Sequence, residues 1–472
     1  MVNGVEVTQV AIVGGGPGGY AAAFMAADLG LEVTLIDLDP NPGGTCLYRG
    51  CISSKALLHV AKVIADARDA EYYGITFAPP QIDLERLRVS VHDIVHKLTS
   101  GLGQLCRARK IRFIQGRASF ADSNSLKITH DSGAEELLRY DHAILAAGSR
   151  PALLEKLLID SPRVMNSTTA LHMADLPETL LVVGGGYVGL ELGSVYATLG
   201  SRVTVVEALP GLLPGADPDL VAPLAERMNA LMHRILLNTK VAAMKEVANG
   251  IEVAFDGTGV EHPIQVFDKV LVCIGRKPNS SGLSLISTKV EEDAKGFVVV
   301  DEQRRTTDPA IYAVGDIVGN PMLAHKASHE GRVAAEAIAG HNVAFAPRAI
   351  PAVVFTDPEI AWCGLTESEA AKEGRPVNVA RFPWNASGRA ATIHATDGLT
   401  KIIADPDTDV VLGVGIAGTG AGELIAEGAL AIEMGALASD IHLTIHPHPT
   451  LGETIMESAE IIFGSSTHVY RK

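Results

Sequence analysis

The sequence predicts an α/β protein that contains two similar dinucleotide-binding units. The first observation is length, because 472 residues are enough for roughly three domains. The second is composition, because 47% hydrophobic and 20% charged residues are ordinary globular values that argue against a disordered or fibrous chain. The third is a long-period repeat, in which two glycine-rich segments align without a gap.

The two segments, residues 10–37 and 180–207, share one pattern from beginning to end. Each has an apolar run, then Gly-x-Gly-x-x-Gly, then an apolar helical stretch and a second apolar run that ends in an acidic residue. In both, the acid follows the first glycine at about the 20-residue spacing of a βαβ dinucleotide fingerprint. The predicted binding residues are Gly14, Gly16, Gly19 and Asp37 in the first copy, and Gly184, Gly186, Gly189 and Glu207 in the second.

Backbone geometry explains this choice of residues. The first glycine turns the chain off the strand, the second lets the main chain approach a pyrophosphate, and the third lets the helix pack against the strand. The terminal carboxylate can bind a ribose 2′-hydroxyl and would repel a 2′-phosphate, so Glu207 favours NAD over NADP. A single motif of this kind can be a simple turn. Two complete copies predict two dinucleotides, a flavin and a nicotinamide.

Two cysteines that follow the first copy suggest redox chemistry. Cys46 and Cys51 precede a segment with helical periodicity, residues 53–65. In a regular helix they would be separated by about 7.5 Å of rise, more than the ~4.4–6.8 Å usual between disulfide-bonded Cα atoms. A bond would therefore require a distorted turn, which Gly50 would ease, and a nearby helix N-terminus would stabilise a thiolate. The alternative is a pair of buried core cysteines, as predicted for Cys106, Cys273 and Cys363.

The overall charge is acidic. With 39 basic and 55 acidic residues the net charge is −16, so we expect no affinity for nucleic acid or an anionic membrane, whereas a basic protein partner is allowed. Residues 7–27 are uncharged, but their glycines and Pro17 favour a turn over a transmembrane helix. Because no basic residue precedes Arg49 and cysteines are few, we expect no targeting signal and a cytoplasmic protein.

The segment around the cysteines resembles the active-site segment of the FAD-dependent pyridine nucleotide–disulfide oxidoreductases. This segment, residues 43–58, reads GGTCLYRGCISSKALL. The similarity extends over essentially the whole chain and is greatest to the members that oxidise dihydrolipoamide. The further matching segments are AAGSRP (146–151), GRKPN (275–279), TTDPAIYAVGD (306–316), MLAHKA (322–327), FTDPEIAWCGLTE (355–367) and HPHPTLGE (446–453).

The resemblance implies roles for the residues that match these motifs. Cys46 would meet the dithiol substrate, and Cys51 would lie against the flavin as a thiolate. Lys55 would sit near the flavin and pair with Glu191, although a solvated helix face is the commoner fate of a lysine. The implied FAD-binding residues are the first glycine set with Asp37, together with Lys55, Gly148, Asp316 and Ala324. The implied NAD-binding residues are the second glycine set with Glu207, together with Glu191 and Gly275.

The resemblance also makes His448 the acid–base residue and Glu453 its orienting partner. In the family this histidine faces the cysteines of the other subunit of a homodimer, which the sequence alone does not decide. Pro447 and Pro449 keep His448 out of a helix, and the pKa of a histidine suits proton exchange near neutrality. A structural loop histidine is the simpler alternative. Residues 450–453 also fit a capping box, in which Glu453 would bind backbone instead of imidazole.

The resemblance further implies architecture, activity and partners. The FAD-binding domain would comprise residues 1–147 and 279–347, the NAD-binding domain 148–278, both Rossmann-like, and an α+β dimer-interface domain 348–472. The implied activity is oxidation of protein-bound dihydrolipoamide to lipoamide through a Cys46–Cys51 disulfide and FAD, with hydride transfer to NAD⁺ and no metal. The implied partners are a second subunit and the lipoylated acyltransferase of a 2-oxoacid dehydrogenase complex, or a lipoyl carrier protein.

Two alternatives to this activity remain open at this point. The chain could reduce another disulfide, or it could serve mainly as a docking subunit of the complex. A glutathione-type reductase would need basic residues where Glu207 stands, to hold the phosphate of NADP. A mercuric-type reductase would need a C-terminal cysteine pair, which the tail lacks.

Several positions depart from the family pattern. Tyr48-Arg49 replaces the common Asn-Val, and Ser53 replaces a proline. The charge of Arg49 could favour a thiolate, Tyr48 could crowd the pocket, and Ser53 could change the helix distortion. The remaining departures are Asp37 for Glu, Ala147 for Thr and Pro447 for Ala. We expect these changes to affect substrate preference and turnover more than cofactor identity.

Overall fold

The computed structural model describes residues 6–152, 159–257 and 260–470. Its first elements are strand β1 (Glu6–Val13), helix α1 (Pro17–Asp28) and strand β2 (Val33–Asp37), so the first copy of the repeat forms a βαβ unit. The glycine-rich turn interrupts the long uncharged stretch. None of the helices in these ranges is long and apolar enough to cross a membrane.

The first sheet has seven strands in the order β3-β2-β1-β6-β5-β4, with β17 paired to β6. Its parallel centre is buried on both faces, as expected where helices cover both sides, and Val10, Ala11 and Ile12 of β1 are fully buried. The other strands are β3 (Arg112–Gln115), β4 (Arg117–Asp122), β5 (Ser125–Thr129), β6 (Glu135–Leu145) and β17 (Ile311–Ala313). The other helices of this unit are α2 (Gly44–Arg49), α3 (Cys51–Asp69), α4 (Leu84–Ala108) and α8 (Ala324–Ile338).

The second sheet repeats the same geometry with five parallel strands in the order β11-β10-β9-β15-β8. Val10 pairs with Val33 in the first unit and Leu180 pairs with Val203 in the second, so equivalent residues of the repeat share one register. The strands are β8 (Val164–Asn166), β9 (Thr179–Val183), β10 (Arg202–Val206), β11 (Arg234–Leu236) and β15 (Lys269–Val272). The helices are α5 (Ser167–Ala170), α6 (Tyr187–Leu199) and α7 (Pro218–Leu231).

Two smaller antiparallel sheets complete this half of the chain. One is inserted in the chain between β11 and β15 of the second sheet and contains β12 (Thr239–Val247), β13 (Gly250–Gly257) and β14 (Ile264–Phe267). The other joins the first two units through β7 (Ser149–Pro151) and β16 (Arg276–Pro278). This two-stranded connection lies where the chain leaves the first unit and where it returns.

The third unit has an antiparallel sheet of order β18-β19-β22-β21-β20 and is α+β, as predicted. Its strands are β18 (Ala352–Val354), β19 (Ile360–Gly364), β20 (Asn378–Pro383), β21 (Leu399–Ala404) and β22 (Val411–Ala417). Its helices are α9 (Glu367–Glu373), α10 (Gly388–Thr392), α11 (Ala421–Met434), α12 (Ala438–Leu443) and α13 (Glu453–Ile462). Single 3₁₀ turns occur in the chain at Ala70–Tyr73, Leu285–Ser287, Gly315–Val318 and Trp384–Ala386. The strands of the three main sheets fall within the segments that the sequence assigns to three domains, whose bounds remain predictions.

A buried lysine connects the second unit to the third. Lys401 on β21 is 1% exposed, and its ammonium lies 2.7 Å from Asp217, 2.7 Å from Asp219 and 2.9 Å from Glu367. The three carboxylates are close enough to hold a metal ion. Lys401 donates to all three carboxylates and Arg381 pairs with Asp219 and Glu367, so these two cations supply the positive charge that such a cluster needs.

Candidate active site

A cavity of about 820 Å³ brings the predicted flavin-binding residues and the two cysteines together. It opens at the carboxyl ends of β1 and β6, where an α/β sheet is expected to bind its ligand. From the predicted set its wall contains Gly14, Gly16, Asp37, Cys46, Cys51, Lys55, Gly148, Glu191, Asp316 and Ala324. Gly19 lies behind the turn instead, because it packs α1 against the strand.

The two glycine-rich turns have the same backbone geometry. Gly14 has φ +104° and Gly184 has φ +111°, and a Cβ on either would collide with the carbonyl oxygen of the neighbouring strand. A Cβ on Gly19 or Gly189 would collide with the carbonyl of the first glycine. The middle glycines are open, and nothing in the described chain lies within 4 Å of a Cβ on Gly186. Both turns therefore provide a cradle that fits a pyrophosphate.

The acidic residue of each copy supports its turn in the same way. One oxygen of Asp37 accepts a hydrogen bond from the N–H of Gly15, and one oxygen of Glu207 accepts from Gly185 at 2.7 Å. Burial raises the pKa of Asp37. Gly184, Gly186, Gly189, Glu207 and Gly275 belong to the second unit and do not line the flavin cavity. Their binding of NAD remains a prediction.

The helix that carries the cysteines is broken between them. Helix α2 ends at Arg49 and α3 begins at Cys51, with Gly50 between the two. A Cβ on Gly50 would lie 2.7 Å from the carbonyl oxygen of Thr45, so this break requires a glycine. The distorted turn that the sequence predicts for a redox pair is present, and Cys46 and Cys51 both reach the cavity wall.

The pKa values of the two thiols are shifted in opposite directions. A hydrogen bond from Cys46, helped by the charge of Lys55, lowers the pKa of Cys51 to about 7. The same hydrogen bond and burial raise the pKa of Cys46 well above that of a free thiol. Cys51 is therefore the sulfur that carries negative charge in the reduced pair. The other three cysteines are inert, because burial raises their pKa to about 11 in Cys106 and to about 12 in Cys273 and Cys363.

Lys55 does not lie on a solvated helix face. Its ammonium donates to Oε2 of Glu191 at 2.8 Å and lies 4.6 Å from the ring centroid of Phe355. The other oxygen of Glu191 accepts from the N–H of Phe355 at 3.0 Å. Glu191, which the sequence places among the NAD-binding residues, thus holds Lys55 at the wall of the flavin cavity.

Asp316 is held by residues that the sequence analysis missed. Ser149 donates its hydroxyl hydrogen bond to Asp316, and Arg276 binds the hydroxyl of Ser149 at 2.6 Å and its carbonyl at 2.7 Å. Glu330, which is fully buried, accepts from the N–H of Gly315 at 2.7 Å. Ser149 and Arg276 directly follow Gly148 and Gly275 in the two matching motifs. Their polar side chains beside these predicted binding glycines were the sequence signal that could have identified them.

The residues that depart from the family pattern face other partners than expected. Arg49 forms an ion pair with Asp39, and Lys55 is the cation that acts on Cys51, so the expectation of a thiolate favoured by Arg49 is not supported. Tyr48 does not crowd the flavin cavity. It faces a second cavity of about 510 Å³ on the other side of α2, which Ser53 also lines.

His448 lies in the loop between α12 and α13 and is 72% exposed. Its Nδ1 is 2.8 Å from Oε1 of Glu453, and the other oxygen of Glu453 accepts from the N–H of Thr450 at 2.8 Å. Glu453 thus binds both imidazole and backbone, but α13 begins at Glu453 after the N-cap Gly452, so the predicted capping box does not form. Burial opposes ionisation, yet these hydrogen bonds hold the pKa of Glu453 below its usual range. His448 is not part of the cavity wall around its own cysteines.

Comparisons with known proteins agree with this geometry. The model of the family "Pyridine nucleotide-disulphide oxidoreductase" matches residues 8–331, and the dimerisation-domain model of the same family matches residues 350–459. A dihydrolipoyl dehydrogenase of Haemophilus influenzae is 47% identical over 98% of this chain and 96% of its own length. A dihydrolipoyl dehydrogenase of Vibrio parahaemolyticus is 45% identical over 98% of this chain and 97% of its own length.

Solved structures share the whole fold. LpdA from Mycobacterium tuberculosis superposes with a TM-score of 0.89 at 28% identity, covering 96% of this chain and 99% of LpdA. The HOCl-induced flavoprotein disulfide reductase RclA from Escherichia coli superposes with a TM-score of 0.85 at 26% identity, covering 96% and 99%. The predicted fold class, the use of FAD and NAD and a dimer-forming C-terminal domain are confirmed by these matches. The chain belongs to the pyridine nucleotide-disulphide oxidoreductase family.

Proposed function

We propose that this protein is a dihydrolipoyl dehydrogenase, which oxidises protein-bound dihydrolipoamide to lipoamide and transfers the electrons to NAD⁺. The observation that carries the proposal is the pair of thiols at the wall of the dinucleotide cavity, with Lys55 beside Cys51. Relatives of that activity at 45–47% identity over nearly the full chain supply the substrate class. The choice of NAD rests on Glu207, whose carboxylate disfavours a 2′-phosphate.

The reaction begins with the Cys46–Cys51 disulfide and a reduced dithiol. One substrate thiol loses its proton to His448, and the resulting thiolate forms a bond to the sulfur of Cys46. The Cys46–Cys51 bond breaks, and Cys51 leaves with the electron pair as a thiolate. The second substrate sulfur then attacks the first and closes the lipoamide ring, while its proton passes to Cys46, which leaves as a thiol.

After this exchange two electrons reside on the cysteine pair. The side chain of Cys46 is the main cause that holds the pKa of Cys51 low, and this stabilises the thiolate next to the cavity. When bound, FAD would carry the electron pair from the reduced cysteines to NAD⁺, which receives it as a hydride. Glu191 holds Lys55, and Ser149 with Arg276 hold Asp316, so the polar groups around the cofactor position are fixed before it binds.

The site is complete only in a dimer. His448 is exposed and lies away from the cysteines of its own chain, so we propose that it acts on the cysteines of the second subunit. Glu453 fixes the Nδ1 side of its ring and leaves Nε2 for the substrate proton. A lipoylated acyltransferase of a 2-oxoacid dehydrogenase complex, or a lipoyl carrier protein, is the proposed donor of the dithiol. A cytoplasmic location is part of the same proposal.

Initial rates of NAD⁺ reduction with dihydrolipoamide test the proposal, with NADP⁺ as the parallel acceptor and FAD-loaded protein throughout. We expect turnover with NAD⁺ and little with NADP⁺. Cys51→Ser should abolish this turnover, while Cys106→Ala, which changes a buried cysteine on α4 outside the cavity wall, should retain it. Bound FAD with no dihydrolipoamide turnover in the parent protein would contradict the proposed substrate and point to another disulfide.

A further inference from the structure

Arg49 lies at the wall of the flavin cavity, which the two redox cysteines and the acidic residues at the end of β2 also line. Its side chain is 37% exposed, and its Nη2 donates to a carboxylate oxygen of Asp39. The N–H of Asp39 donates in turn to Asp37 at 2.8 Å. Arg49, Asp39 and Asp37 all line the cavity, so this chain of contacts belongs to the ligand site.

Helix α2 joins Arg49 to the glycine-rich turn. Side chains on an α-helix lean toward its N-terminus, and Arg49 is the last residue of α2. The N-terminus of α2 packs on the turn, because the N–H of Gly43 donates to the carbonyl of Gly15 at 2.7 Å. A Cβ on Gly44 would lie 2.5 Å from the Cα of Gly16. Arg49 and the glycines of the turn line one cavity, in which a pyrophosphate is expected.

The charges at this end of the cavity favour a cation in that position. Asp37 and Asp39 place two carboxyl groups beside a site whose ligand brings a pyrophosphate. The guanidinium group has five N–H donors in a planar fork. Among the described residues, Arg49 makes one side-chain hydrogen bond, to Asp39, and its guanidinium carbon lies 5.8 Å from the ring centroid of Tyr48. The remaining N–H groups of Arg49 are free to bind an anion while the pair with Asp39 stays in place.

We propose that Arg49 is an FAD-binding residue that bridges Asp39 and a pyrophosphate oxygen of the cofactor, with Asp39 as its positioning residue. The side chain next to the helix break at Gly50 thereby attaches the redox segment to the cofactor. The common family residue here is the apolar Val, which cannot make this contact. The inference rests on FAD binding in this cavity and not on the identity of the dithiol.

The affinity of the apoprotein for FAD and ADP tests the proposal, with adenosine as the competitor that lacks a phosphate. In Arg49→Gln we expect the affinity for FAD and for ADP to fall by about tenfold, the effect of losing one charge-assisted hydrogen bond. The affinity for adenosine should not change. The loss should shrink as salt concentration rises, since Arg49 is partly exposed. Arg49→Lys should recover part of the affinity because it keeps the charge.

Arg109→Gln is the matched control, because Arg109 pairs with Asp28 at 2.9 Å in the same unit and does not line the cavity. Its affinity for FAD and ADP should equal that of the parent. Thermal unfolding of each apoprotein shows whether the variant folds. Should Arg49→Gln fail to fold, Arg49→Lys carries the test, and an unchanged ADP affinity in that variant would overturn the proposal.

The double variant Asp39→Asn/Arg49→Gln separates this role from simple neutralisation of Asp39. If Arg49 served only to balance the charge of Asp39, the double variant would bind FAD as tightly as the parent, and the proposal would be wrong. We expect it to stay as weak as Arg49→Gln, while Asp39→Asn alone loses less ADP affinity than Arg49→Gln, because it keeps the guanidinium and removes only the carboxylate that positions it. These affinities are independent of dihydrolipoamide turnover, so failure of the proposed function would leave this test intact.

Discussion

The hydrogen bond from Cys46 to Cys51 should control the charge of the reduced cysteine pair. It is the largest cause that lowers the pKa of Cys51, followed among the lowering causes by the charge of Lys55. Cys46→Ala removes this donor, whereas Cys46→Ser keeps a hydroxyl donor at the same position. Because both variants lack the Cys46 thiol, Cys51 is the one reactive thiol of the pair in each.

The expected effect follows from the thiolate fraction at pH 7. With a pKa of about 7, roughly half of the Cys51 population is thiolate at that pH. If the hydrogen bond is lost and the pKa returns toward that of a free thiol, about 8.5–9, only a few per cent or less remains thiolate. The thiolate is the reactive form. Alkylation of Cys51 at pH 7 should therefore be about tenfold to fiftyfold slower in Cys46→Ala than in a protein that keeps the donor, such as Cys46→Ser.

Iodoacetamide alkylation of the FAD-loaded variants, followed at several pH values and mapped by peptide mass spectrometry, measures this effect. The apparent pKa of Cys51 should be higher in Cys46→Ala than in Cys46→Ser. Cys106, which is buried, should stay unalkylated in both variants and serves as the negative control. Equal apparent pKa values for Cys51 in the two variants would refute the hydrogen bond as the cause.

Three other outcomes are expected. Lys401→Met should lower the free energy of unfolding by about 3–5 kcal/mol in urea denaturation, because it leaves the buried carboxylate of Asp217 without its cation, while Arg381 still pairs with Asp219 and Glu367. Lys245→Met, which breaks an exposed pair, should change it by less than about 1 kcal/mol. The pKa of Asp217 is lowered from its ordinary value of 3.8 to about 2. Its contribution to stability should therefore be present above about pH 4 and be lost as the pH falls toward 2. Acid unfolding monitored by circular dichroism would detect this loss. Gly50→Ala should disturb the turn between the cysteines, because its Cβ would meet a backbone carbonyl, and a normal rate of dihydrolipoamide oxidation in this variant would show that the break tolerates a side chain.

Local backbone requirements were readable from the sequence. Gly14 and Gly184 begin turns that only a residue without a side chain can make, so their spacing to Asp37 and Glu207 predicted two βαβ units with one register. The helix break at Gly50 was predicted on the condition that the two cysteines bond, because cysteines five residues apart cannot meet in a regular helix.

Contacts between distant segments were not readable in the same way. The partner of Arg49 could not be identified before the fold placed Asp39 beside it, so its charge was expected to act on a thiolate. The motifs containing Ser149 and Arg276 matched the family, yet their mutual contact depends on the pairing of β7 with β16. Lys401 carries no sequence signal at all, because its three carboxylates come from other elements.

Glu191 shows why the charge of the redox pair is decided mainly by the cysteines themselves. This carboxylate is 3% exposed and binds Lys55 through one oxygen and the N–H of Phe355 through the other, so it joins the redox helix, the second unit and the third. Its negative charge raises the pKa of Cys51 while the positive charge of Lys55 lowers it. The charges of Lys55 and Glu191 therefore partly cancel in their effect on the pKa of Cys51. A donor at short range, such as Cys46, can lower that pKa more than the ion pair does. The same pair is well suited to positioning, because Glu191 accepts hydrogen bonds with both oxygens and cannot turn without losing one of them.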